Sequence, residues 1–203
     1  SSESSDYNVA VGYDCLRYND GSQCVAIGAY ALGKSGCTAS QSTVIGYSAG
    51  YHNSTGDQNN FYGFYAGLNN TEGFENVCLG HNAGESNTTG DQNVVVGGYA
   101  ARYQLTPDRN TSVGYLAGYG VSTNSGGGNN AFFGHSSGFG ITTGSNNTCA
   151  GDQSGANISS GSNNTIIGHD AGTANGPNGA ITTGSNHIIL GDNSVTYAGI
   201  KVA

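Results

Sequence analysis

One short phrase recurs eleven times along this chain: two or three β-forming residues, a glycine, an aromatic or polar residue, a small residue, and a turn rich in Gly and Asn. The anchoring glycines are Gly12, Gly28, Gly46, Gly63, Gly80, Gly97, Gly114, Gly134, Gly151, Gly168 and Gly191, so most phrases begin 17 residues after the last. A fixed period running from end to end means a solenoid, because a single repeat cannot bury its apolar side without its neighbours. The expected fold is all-β: a parallel β-solenoid, or β-roll, of about eleven coils with a repeat of about 17 residues. At about 4.8 Å per coil this makes a rod roughly 50 Å long. The repeat domain spans 7–194, after a lead-in of 1–6 and before a C-terminal segment of 195–203.

Composition alone points the other way. Only 35 % of residues are hydrophobic and 36 are glycine, which by itself reads as disorder. The period decides for a folded rod, since the β-branched and aromatic residues are gathered just before each anchor. Five Lys plus Arg against thirteen Asp plus Glu give a net charge of −8. Nucleic-acid binding needs clustered basic groups and is not expected. No apolar run reaches the roughly 18 residues of a membrane span. Cys78 and Cys149 share a strand column too many coils apart to bridge. Cys15, Cys24 and Cys37 lie in neighbouring coils where one bridge is conceivable, with free thiols the default.

Aligned on the anchor, the residue just before it is always apolar or aromatic, from Val11 and Ile27 to Ile167 and Leu190, and the residue three before it is mostly β-branched. These two columns share one face of a short strand. The column between them (Ala26, Val44, Phe61, Cys78, Val95, Phe132, Ile166) faces the other way and is also mostly apolar. A strand apolar on both faces needs covering on both. One cover is the coil's own interior; the economical source of the other is a further copy of the chain. Three after the anchor the residue is always small, as in Ala31, Ala66, Ala100 and Ser154, and belongs inside a narrow coil where a bulky side chain costs about 1 to 3 kcal/mol. Glycines seven before the anchor are read as positive-φ turn positions. Asn residues four before it are read as left-handed turn formers whose side chains bond their own backbone and stack into an amide ladder. Extra residues at 121–128 and 173–180 are expected to bulge from one corner.

The phrases "NNTIIGHDAG" and "ITTGSNNTCAGDQSG" resemble the repeats of bacteriophage tail fibres and, more distantly, those in the heads of trimeric autotransporter adhesins. The ending "IILGDNSVTYAGIKVA" resembles the segment that leads into an intramolecular chaperone of endosialidase type. The resemblance covers residues 7 to 194. It implies a homotrimeric rod on a virion, partnered by other tail-fibre proteins and by a host surface glycan or outer-membrane receptor. A bacterial surface adhesin or other extracellular filament is the alternative it leaves. It implies a mature or truncated fibre portion and transfers no catalysis, since the cutting serine belongs to the chaperone.

No nucleophile elbow, phosphate loop or zinc motif is present, and no enzyme activity, metal or cofactor is expected. Asp57, Asp91, Asp152, Asp170 and Asp192 recur near turns without the regular spacing of calcium-binding repeats. Sequons at Asn53, Asn69, Asn87, Asn110, Asn146, Asn157 and Asn163 are the arithmetic of Asn- and Thr-rich turns. The column just after the anchor carries the sharper signal. Tyr13, Tyr47, Phe64, His81, Tyr115, His135 and His169 form a stripe along one edge, a candidate receptor or glycan surface because aromatic faces stack on sugars. Stacking of the stripe upon itself is the plainer expectation.

Overall fold

The computed structural model describes residues 7–121, 126–174 and 179–195. They contain eleven three-residue strands: β1 Val9–Val11, β2 Val25–Ile27, β3 Thr43–Ile45, β4 Asn60–Tyr62, β5 Val77–Leu79, β6 Val94–Val96, β7 Thr111–Val113, β8 Ala131–Phe133, β9 Thr148–Ala150, β10 Thr165–Ile167 and β11 Ile188–Leu190. Each fills the three positions before an anchor glycine. All pair in parallel in chain order, forming one eleven-stranded sheet. These rungs wind as a solenoid of about nine turns, fewer than the eleven coils expected. The expected bulges fall partly on 122–125 and 175–178, outside the described residues. The added residues leave the pairing intact: Thr111 still faces Ala131, and Thr165 faces Ile188.

The middle strand column is the core. Ala26, Val44, Phe61, Ser112, Phe132, Cys149 and Ile166 are fully buried, with the small column (Ala31, Ala49, Ala66, Ala83, Ala100, Ala117, Ser137, Ser154, Ala171) packed behind them. Only the ends depart: Cys15 is half-buried and Ser194 exposed. Serine here is more than a small filler. Ser137 and Ser154 donate to the carbonyls of Cys149 (3.0 Å) and Ile166 (2.8 Å) in the next rung. All five cysteines are free.

The Asn ladder exists, but its bonds run between coils. The backbone N–H of Asn76, Asn93, Asn110, Asn130, Asn147 and Asn164 each donates to the side-chain Oδ1 of the Asn one coil earlier, at 2.8 to 3.1 Å. Each Nδ2 donates forward to a turn carbonyl of the next coil, as from Asn59 to Gly73 and from Asn76 to Gly90, both at 2.8 Å. The left-handed position is instead the residue before the Asn, where Gln58, Glu75, Gln92, Arg109, Asn129 and Asn146 have φ of 56 to 60°.

The glycines seven before the anchor also have a different reason. None adopts the positive φ expected of them; a Cβ on Gly56, Gly73, Gly127, Gly144 or Gly161 would run into the carbonyl oxygen of its counterpart in the next coil. Close stacking, not conformational freedom, fixes glycine there. The anchors need both properties, with φ between 119 and 143° at all but Gly191.

A second inward ladder, seven after the anchor, is formed by Asn53, Asn70 and Asn87, linked Nδ2 to Oδ1 at 3.2 and 3.1 Å. Gln104 continues it; the same position is exposed at Val121, then buried as Ile141 and Ile158, and Ile181 takes it up after the longer coil, so the core changes from amide-lined to aliphatic along the rod. One strand residue is out of place in this core. The Ser112 hydroxyl is buried without a hydrogen-bond partner between Val95 and Phe132. Ser112→Ala is therefore expected to stabilise the fold by about 1 kcal/mol. A urea titration checks this; a loss of stability would show that the hydroxyl is satisfied.

Candidate functional site

Each anchor glycine ends a strand and throws the next residue outward at one corner of the rod; the residue after that turns back through a left-handed φ of 47 to 62° in most coils. These two positions build an aromatic edge. Its rings are in continuous contact: Tyr13, Tyr30, Tyr47, Phe64, His81, Tyr99, Tyr115 and His135, with centroids 5.0 to 5.9 Å apart. Six of the seven stripe residues named from the sequence thus lie on one line, but they do not suffice to make it. Where the first position is small, at Ala29 and Gly98, the second supplies the ring: Tyr30 joins Tyr13 to Tyr47, and Tyr99 joins His81 to Tyr115. The missed signal was this complementarity between adjacent columns.

Tyr47 with Phe64, Phe64 with His81 and Tyr115 with His135 stack with interplanar angles of 13, 7 and 1°. Those facing ring faces are therefore shared between coils. His169 stands apart from the rings. His135 Nδ1 is 2.7 Å from Asp152 Oδ1, and His169 Nε2 is 3.5 Å from Asp152 Oδ2. His169 Nδ1 lies 3.8 Å from both Asp170 and Asp192, so the aromatic edge ends in an alternating imidazole and carboxylate run. The Ser194 backbone N–H, donating at 2.8 Å, holds the Asp192 carboxyl below its usual range. This run follows the edge instead of converging: among the described residues no group of three or more His, Cys, Asp or Glu is placed to hold a metal. Asp57 and Asp91 accept the backbone N–H groups of Ser40 (2.7 Å) and Phe74 (3.0 Å) of the preceding coil, a turn-fastening role.

A shorter aromatic row lies alongside. Tyr103 meets Tyr119 edge-on at 5.0 Å, and Tyr119 stacks on Phe139 at 4.9 Å. Arg102 lies between the two rows, its guanidinium 5.2 Å from the Tyr99 ring centre and 4.9 Å from that of Tyr103, with Nε donating to Glu85 at 2.6 Å. Two open clefts follow: one of about 270 Å3 lined by Tyr99, Arg102, Tyr115, Leu116 and Tyr119, and one of about 210 Å3 lined by Tyr30, Tyr47, Ser48 and Tyr51. Of the sequons, Asn53, Asn87 and Asn110 are buried in the ladders; Asn146, Asn157 and Asn163 are exposed.

Four of the five thiols are buried and Cys15 is half-buried. Burial pushes Cys78 and Cys149 up to about 12 and Cys37 up to about 11. At pH 8 the Cys78 and Cys149 thiols stay protonated, and the thiolate is the nucleophilic form. Native protein should therefore leave these two unlabelled by a maleimide over minutes while half-buried Cys15 reacts first; in denaturant all five should label. Mass spectrometry of the peptides checks the order.

No helix among the described residues is long and apolar enough to cross a membrane. No protein-family model, curated protein or solved structure matches the chain.

Proposed function

We propose that this chain is a rod segment of a homotrimeric attachment fibre, of the bacteriophage tail-fibre kind, that adheres to the host cell surface. The observation that carries this reading is the outer face of the sheet. The two outward columns hold twenty-two side chains, none of them charged, in a chain with eighteen charged residues. Val11, Ile27, Leu79, Val94, Phe133, Ile167 and Leu190 are exposed on it in the single chain. A charge-free strip along the sheet, apolar but for Asn60 and four threonines, has the composition of an interface core, and left bare it would drive aggregation. Two further copies with the same repeat bring an identical strip in matching register, and closed three-fold symmetry covers all three. The tail-fibre resemblance supports three as the number.

Such a rod works mechanically and adhesively. Inter-coil carbonyls, amide ladders and ring contacts fasten every rung to the next. Three copies present each edge site in triplicate, so a weak single-site affinity becomes useful avidity. Fluorescently labelled chain incubated with a panel of bacterial strains tests the reading. Saturable adsorption to a subset of strains is expected; adsorption to none would overturn the attachment role.

A further inference from the structure

We propose that the cleft between Tyr99, Arg102, Tyr115, Leu116 and Tyr119 binds a neutral hexopyranose unit of a surface glycan, an inference that rests on the attachment role above. Here the edge and the second aromatic row flank an open space of about 270 Å3. The Tyr99 and Tyr115 rings stand at 86° to one another, 5.9 Å apart, and Tyr115 is half exposed. Two rings at a right angle form a corner, offering one face as a platform and the other as a wall for the C–H side of a sugar. The second row closes the opposite side with Tyr119.

The polar groups are gathered at the same place. The Arg102 guanidinium and the Tyr119 phenol line the cleft and supply donors and an acceptor together, the pairing that adjacent sugar hydroxyls require, while Glu85, outside the lining, holds Arg102 through its Nε. Arg102 is held: Glu85 bonds its Nε, and two tyrosine rings flank its guanidinium, so little freedom is lost when a ligand engages the remaining N–H groups. That same pairing selects the ligand. Glu85 already neutralises Arg102, and the chain carries a net charge of −8, so a carboxylate-bearing sugar would meet repulsion where a neutral hydroxyl pair does not. The second cleft, at Tyr30, Tyr47, Ser48 and Tyr51, has rings but no cation in its lining.

Saturation-transfer NMR with maltotriose, galactobiose and mannobiose, and with a uronic-acid trisaccharide at equal concentration, tests the cleft on the whole chain. At least one neutral saccharide should receive saturation and the uronate none. Tyr115→Ala and Tyr119→Phe should each weaken binding about tenfold, with Tyr51→Ala in the other cleft unchanged. Tyr119→Phe keeps the ring and so keeps the fold. Silence from every neutral saccharide, preference for the uronate, or undiminished binding by both variants overturns the inference. The same variants in the bacterial adsorption assay separate it from the broader reading. Adsorption undiminished by Tyr115→Ala removes the cleft and leaves attachment standing; sugar binding by a chain that adsorbs to no strain does the reverse.

Discussion

Gly80→Ala should break the rod in its middle. A Cβ there would sit 2.5 Å from the carbonyl oxygen of Gly97 and 2.7 Å from its carbon, at a φ of +141° that side chains rarely adopt. The backbone strain alone costs about 1 to 3 kcal/mol. The contact is with backbone of the adjoining rung, so no side chain can swing aside, and the rungs must separate along a sheet whose every bond depends on their spacing. A total above about 4 kcal/mol is expected, in the range that unfolds an ordinary domain. Gly36→Ala is the matched control: its φ is +77°, but nothing lies within 4 Å of the added carbon. It should lose only about 1 kcal/mol. Limited proteolysis and circular dichroism should show new cleavage between the rungs around Gly80 in the first variant and an intact rod in the second.

Asn93→Ala should be nearly as damaging, through the opposite kind of loss. Asn93 is buried, and its Oδ1 accepts the Asn110 N–H at 2.9 Å. Its Nδ2 donates to the Pro107 carbonyl at 2.6 Å and to Asn76 Oδ1 at 2.9 Å. Truncation leaves an N–H and a carbonyl with no water to replace the amide, each costing about 1 to 3 kcal/mol, so about 2 to 6 kcal/mol is expected. The effect should be local in hydrogen exchange, with faster exchange at Asn110 first, because the ladder passes its bonds from coil to coil. Asn157→Ala, on the exposed surface, should change the urea midpoint little.

These two residues show what the sequence made legible and what it hid. Strand positions could be read directly, because an apolar column before a glycine marks a strand end whatever the coil's cross-section, and all eleven strands stand where the columns put them. The small column could be read because burial inside a narrow coil excludes bulk. The role of each polar position could not. Glycine seven before the anchor looks the same whether it serves a positive φ or a carbonyl stacked upon it, and only inter-coil distance separates the two. The Asn column likewise reads as a local turn until its bonds are seen to run to the adjoining coil. The ring line was half legible: Tyr30 and Tyr99 sit one position off the stripe and join it because Ala29 and Gly98 leave room. The cleft at Arg102 was hidden for a further reason. Glu85, Arg102, Tyr119 and Phe139 share one column, five after the anchor, but its composition is mixed (Arg17, Gly33, Tyr51, Leu68, Ala156), so no single residue type marks it.

The interior columns thus explain why one chain winds, and the uncharged outward columns are the ground for proposing that further copies cover them. Light scattering of the purified chain at native pH is the direct test of that claim. Covered strips predict a particle of three times the 20.4 kDa chain mass, falling toward one chain when Leu79, Phe133 and Ile167 are each replaced by Glu. A stable, soluble 20.4 kDa monomer of the unmodified chain would contradict it.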